Sequence, residues 1–257
     1  MNRINQLFRN KQSGILSVYF PAGYPTLEST RPVLSALQAA DVDMVEIGIP
    51  FSDPMADGVV IQQASGEALK NGMSLHCLFN QLSDVRREIT LPILLMGYLN
   101  PIMRFGFESF CQRCAEVGVD GVIVPDLPFA DYLSEYKPIA DTYGVKMVML
   151  ITPETSDDRI ELIDLHTDSF IYMVSSAATT GAQQSFDSSK QSYFERINRM
   201  NLKNPRLIGF GVSNRATFQL ALSNASGAIV GSKFVQLLKD HSSPDEAVAA
   251  LLQGLNE

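Results

Sequence analysis

The chain has 257 residues, 46% hydrophobic and 19% charged, which is ample material for one large core and does not read as disorder. A formal charge of −8 disfavours nucleic acid, which would need a basic face, but leaves room for a phosphorylated small molecule held by helix N-terminal N–H groups. The polar run from Met1 to Gly14 is not a secretory signal, and no apolar stretch is long enough to span a bilayer, so a cytoplasmic protein with no membrane partner is expected.

In chain order, residues 4–10 predict a short extra helix ahead of a β-rich run at 15–20. Pro21-Ala22-Gly23-Tyr24-Pro25 then stands where an open dinucleotide-binding fold would carry GxGxxG, which argues against that fold. A helix at 30–40 leads to a second strand at 44–49, and further strands are predicted at 93–98, 121–124, 146–151, 170–174, 206–210 and 227–230. Helical patterns at 109–117, 132–143, 157–166 and 216–223 separate them, with start signals at Thr155/Ser156 and Ser213/Asn214. The polar stretch 175–191 after the sixth strand is long enough to be a functional loop. Eight strands alternating with helices predict an α/β chain folded as one domain over 1–257, a (β/α)8 TIM barrel with a short N-terminal extra helix.

Cys111 and Cys114 have CxxC spacing, but they fall within a helical pattern and no second pair accompanies them. His76, His166 and His241 are scattered without a metal-binding spacing, so no metal site is expected.

Barrel chemistry sits at the C-terminal ends of the strands. Along the second strand, alternation turns Met44, Glu46 and Gly48 inward and Val45, Ile47 and Ile49 toward the helices. Glu46 is then a carboxyl among core side chains, with Gly48 leaving space above it and no basic partner on any strand interior. Desolvation raises the pKa of such a group and lets it both give and take protons near neutral pH. Asp53 and Asp57 lie in the following loop, where a turn or cap role is open to either. Gly209-Phe210-Gly211 and Val230-Gly231-Ser232 end the last two strands, a usual place for phosphate in barrels. Lys146 lies at the entry of the fifth strand, the wrong end for imine chemistry.

The run Glu46-Ile47-Gly48-Ile49-Pro50-Phe51-Ser52-Asp53-Pro54-Met55-Ala56-Asp57-Gly58 closely resembles the signature of the tryptophan synthase alpha subunit family. Met96-Gly97-Tyr98-Leu99-Asn100-Pro101, Pro125-Asp126-Leu127-Pro128, Gly209-Phe210-Gly211 and Gly231-Ser232 extend the resemblance over essentially the whole chain. It implies a lyase of tryptophan biosynthesis that splits indole-3-glycerol phosphate into indole and glyceraldehyde 3-phosphate. Glu46 would serve as the acid–base group, and Asp57 would hold the ring N–H. Tyr19, Tyr98, Leu127 and Tyr172 match positions lining the indole pocket, and Thr180 is expected to contact Asp57 on closure. Gly181, Gly211, Gly231 and Ser232 match the phosphate set. In the loop after the sixth strand, Ala178 replaces a glycine usual in the family.

The resemblance also implies a beta subunit in an α2β2 complex, contacted through Asp53-Pro54 and Asn100-Pro101, with pyridoxal phosphate in that partner and no cofactor in this chain. A stand-alone lyase would share every catalytic residue, a regulatory subunit would not need them, and a barrel for another phosphorylated substrate would share the phosphate end.

Overall fold

The computed structural model describes residues 1–175, 188–209 and 211–257. Eight parallel strands pair in sequence order and close into a barrel: β1 Ile15–Pro21, β2 Met44–Gly48, β3 Ile93–Met96, β4 Gly121–Ile123, β5 Lys146–Ile151, β6 Ile171–Val174, β7 Arg206–Gly209 and β8 Gly227–Val230. The seam joins β1 to β8, with Ile15 opposite Gly227. The helices are α1 Arg3–Asn10, α2 Thr30–Ala39, α3 Val59–Lys70, α4 Leu75–Gln81, α5 Leu99–Phe105, α6 Phe107–Val117, α7 Phe129–Asp131, α8 Lys137–Thr142, α9 Asp157–His166, α10 Ser188–Arg199, α11 Arg215–Asn224, α12 Ser232–Asp240 and α13 Pro244–Asn256.

Strand alternation divides the core as expected. Met44, Leu94, Ile123, Val148, Phe170 and Leu207 fill the barrel interior, while Val45, Ile47, Leu95 and Val122 pack outward against the helices. The amphipathic spacing of α6 buries Phe107, Phe110, Cys111, Cys114 and Val117, so both cysteines of the CxxC pair are free thiols in the core. Gly118 ends that helix in the left-handed conformation, at φ 80°. Ser156 and Asn214 cap α9 and α11 at the expected starts.

Two predicted elements change shape. The helix expected over 132–143 is interrupted by a π-turn at Tyr132–Tyr136. Pro138, two residues after Tyr136, has no N–H to give to the Ser134 carbonyl, so the regular ladder cannot pass through. The stretch 175–191 is not all loop, because α10 begins at Ser188; its remaining residues, 176–187, lie outside the described residues.

α1 closes the bottom of the barrel. Ile4 is fully buried among the interior side chains, and the helix is tied down by residues far along the chain. Asp120 at the entry of β4 accepts from Arg3 Nη1 at 3.1 Å, from Arg86 Nη2 at 2.6 Å and from the Ile93 N–H at 3.0 Å. Lys11 pairs with Asp43 at 2.6 Å. Every one of these contacts is at the end opposite the strand C-termini.

Candidate active site

Glu46 projects from the middle of β2 into the barrel and is fully buried. The Ser17 hydroxyl on β1 donates to its Oε1 at 2.9 Å, and Oε2 has no partner among the described residues. Burial pushes the Glu46 carboxyl up to about 8, and the Ser17 hydrogen bond works in the opposite direction. Among the described residues, no cationic group offsets the burial, in line with the absence of a basic partner on the strand interiors.

The space expected above Gly48 is filled. A Cβ at Gly48 would come within 2.7 Å of Tyr19 Cζ, so the ring end lies directly against this glycine. Gly48 is the next inward position beyond Glu46, and Tyr19 therefore covers the carboxyl. A second pair repeats the arrangement across the barrel, where a Cβ at Gly209 on β7 would meet Tyr172 Cζ of β6 at 2.6 Å. Both glycines are needed for close approach of a ring rather than for an unusual backbone angle.

Asp57 sits in the β2–α3 loop, one residue before Gly58, the N-cap of α3. Burial raises its carboxyl above the usual range, and a hydrogen bond from the Tyr98 hydroxyl opposes that rise. The same hydroxyl accepts from the Ala56 N–H at 2.9 Å, so Tyr98 fixes this part of the loop. The Tyr19 and Tyr172 phenols are both pushed well above their ordinary value, first by burial and then by the Glu46 and Asp57 carboxyls nearby.

Three of these residues border a cavity of about 50 Å³ at the C-terminal end of the barrel. Tyr19, Tyr172 and Asp57 share its wall with apolar Met96, Ile61 and Ile229, and Gly211, Gly231 and Ser232 form another part. Gly211 has φ 92°, a conformation that favours glycine. Gly231 precedes α12 with no side-chain cap, which leaves the first-turn N–H groups of that helix for an anion. A smaller adjoining cavity of about 10 Å³ adds Ile49, Tyr98, Gly97 and Pro125 around Tyr19, Asp57 and Met96. The arrangement offers a slot with aromatic sides, two carboxyls of differing exposure and an anion-binding end.

The structure thus brings together Glu46, Asp57, Tyr19, Tyr98, Tyr172, Gly211, Gly231 and Ser232. Leu127 departs from expectation: it packs in the shell between barrel and helices and borders neither cavity. Its segment acts instead through Asp126, whose Oδ1 accepts the Leu99 N–H at 2.8 Å and caps α5 from outside. Thr180, Gly181 and the Ala178 substitution lie outside the described residues, as does Phe210. Ser17, Met96 and Ile229 were missed from sequence, although their inward alternation was readable. Lys146 pairs with Asp168 at the far end of the barrel, where it has no access to the cavity. Among the described residues, no group of His, Cys, Asp or Glu gathers as a metal site.

The rim beside the cavity is open and mixes apolar with polar side chains. Met55 is 80% exposed, Asp53 and Asn100 are exposed, and a groove runs from Pro50 and Phe51 to Asn100 and Pro101. No helix among the described residues is long and apolar enough to cross a membrane.

A family model described as tryptophan synthase alpha chain matches residues 6–257. The chain is 65% identical over 257 residues to the tryptophan synthase alpha chain of Parabacteroides distasonis, covering 100% of both. It is 61% identical to that of Bacteroides fragilis, over 100% of this chain and 97% of the relative. Among solved structures, the tryptophan synthase alpha chain of Legionella pneumophila superposes with a TM-score of 0.87 at 30% identity, covering 99% and 96% of the two chains. A tryptophan synthase complex from Pyrococcus furiosus gives 0.84 at 36% identity, covering 95% and 97%.

Proposed function

The chain belongs to the tryptophan synthase alpha chain family, and from that premise we propose that it is the carbon–carbon lyase converting indole-3-glycerol phosphate to indole and glyceraldehyde 3-phosphate. The observation that carries this reading is the Glu46 carboxyl, buried without a cationic partner beneath a cavity whose far part can take a phosphate.

The protonated Glu46 carboxyl gives its proton to C3 of the indole ring, and the ring becomes a cationic indolenine. Asp57 accepts a hydrogen bond from the ring N–H and stabilises the positive charge developing there. The Glu46 carboxylate then takes the proton of the glycerol hydroxyl next to the scissile bond. As that oxygen becomes the aldehyde, the C3 to side-chain bond breaks and its electron pair returns to the ring. Glu46 ends protonated, as it began, and the ring itself is the electron sink. Tyr19, lying over Gly48, has to yield for substrate to reach the carboxyl. Tyr98 and Tyr172 flank the ring, and Gly211, Gly231 and Ser232 bind the phosphate, aided by N–H groups at the start of α12. Leu127, Thr180 and Gly181 rest on the family resemblance alone.

The partner in this reading is a beta subunit, docked on the open rim around Asp53, Met55 and Asn100, in an α2β2 complex in the cytoplasm. Each proton transfer is assigned to this chain's own carboxyl, so pyridoxal phosphate belongs to the partner. The test is release of indole from indole-3-glycerol phosphate by the purified chain, with and without added beta subunit. Turnover is expected alone, faster with the partner, and lost in Glu46→Gln by at least about 100-fold. Undiminished turnover in Glu46→Gln would leave a regulatory role for the chain, and failure to associate with a beta subunit would make it a stand-alone lyase.

A further inference from the structure

Glu46 is held at one oxygen only. Ser17 is fully buried on the inward face of β1, where its neighbours on that face are Ile15 and Tyr19. A hydroxyl at such a position carries a desolvation cost unless it is bonded, and its bond is to Glu46 Oε1 at 2.9 Å. Oε2 of the same carboxyl has no partner among the described residues.

Resting on the assignment of Glu46 above, we propose that Ser17 is a positioning residue for the reaction: its hydroxyl anchors Oε1 and leaves Oε2 as the oxygen that exchanges a proton with the substrate. A glutamate has three rotatable bonds, and the interior around this one offers little else to fix them. From β3 it faces apolar Leu94 and Met96. Among the described residues, the titratable groups that sense it are Tyr19 from β1 and Tyr172 from β6, neither of them cationic, and both phenols also sense Asp57 of the β2–α3 loop. Ser17 is the donor that opposes the effect of burial on this carboxyl. It keeps the group near the range in which one carboxyl can serve as acid and then as base. Without it, burial acts unopposed and the protonated carboxyl is less ready to give its proton to indole C3.

The test compares Ser17→Ala, Ser17→Thr and Glu46→Gln with the wild-type chain, as pH profiles of indole release. Cleavage starts from the protonated carboxyl, so kcat/KM falls on the alkaline side as Glu46 of the free enzyme ionises. Ser17→Ala is expected to move that alkaline limb up by about one pH unit and to lower kcat about tenfold, with KM little changed. Ser17→Thr keeps the hydroxyl and is expected to restore the limb. If Ser17→Ala folds poorly, Ser17→Cys, a near-isostere with a weaker donor, carries the same comparison. A wild-type limb and kcat in Ser17→Ala would overturn the proposal. So would a raised kcat, which would mark the bond as a restraint holding the carboxyl back, or a loss of rate with an unmoved limb. Wild-type turnover in Glu46→Gln would instead remove the assignment of Glu46, and this proposal with it, whereas a dead Glu46→Gln beside an unaffected Ser17→Ala removes the proposal alone.

Discussion

Burial of the Glu46 carboxyl sets a pH dependence of stability as well as of rate. Its pKa in the folded chain is about 8, against the ordinary value of 4.5. A carboxyl raised on folding contributes its full stability below the lower value and loses it as pH climbs through the upper one. The loss amounts to roughly 5 kcal/mol once the group is fully ionised. Glu46→Gln cannot ionise, so its melting temperature is expected to exceed the wild type's at about pH 9 and to lose that advantage at about pH 5. Calorimetry at the two pH values checks this, and an advantage independent of pH would contradict it. Glu46 was legible from sequence because alternation along a five-residue strand leaves little choice of face. Ser17 was not, since its link to Glu46 depends on the register between β1 and β2, with Tyr19 opposite Glu46, which no local pattern encodes. Tyr19 in the space above Gly48 escaped notice for the same reason.

At the scale of elements, α1 depends on Asp120 more than on any residue of its own. Asp120 has a side chain only 4% exposed and serves two arginines, while Arg3 is 40% exposed and Arg86 is 16%. Truncating the shared buried acceptor leaves the Arg86 charge without its partner, so Asp120→Ala is expected to cost about 3–5 kcal/mol. Arg3→Ala removes an arm that already meets solvent and is expected to cost about 1 kcal/mol or less. Urea denaturation gives both values, and hydrogen exchange in α1 tells whether the helix is released; equal costs would sink this division of roles. Every strand was foreseeable from β-rich runs between helical patterns. The π-turn at Tyr132–Tyr136 was not, because Pro138 marks a break in the ladder without saying how the chain absorbs it.

Over the whole molecule, the charge of −8 opposes the approach of a doubly charged phosphate ester. The end of the cavity proposed to take the phosphate offers backbone N–H groups and, among the described residues, no cation in its lining, so attraction there acts only at short range. Added sodium chloride is therefore expected to raise kcat/KM for indole-3-glycerol phosphate by about two- to threefold between 10 and 150 mM, as screening relieves the repulsion. A steady fall over that range would instead place a compensating positive field around the cavity. The seam between β1 and β8 has a different consequence, one that concerns the nascent chain. Ile15 leaves the ribosome well before its partner on one side, Gly227, which lies much further along the chain. At about 5–20 residues per second, the first strand waits on the order of 10–40 seconds with that edge unpaired. Arg3 likewise waits for Asp120 before the bottom of the barrel can be sealed. The ring is completed only by its last strand, so the early half of the barrel must remain soluble with an open sheet edge while the rest is being made.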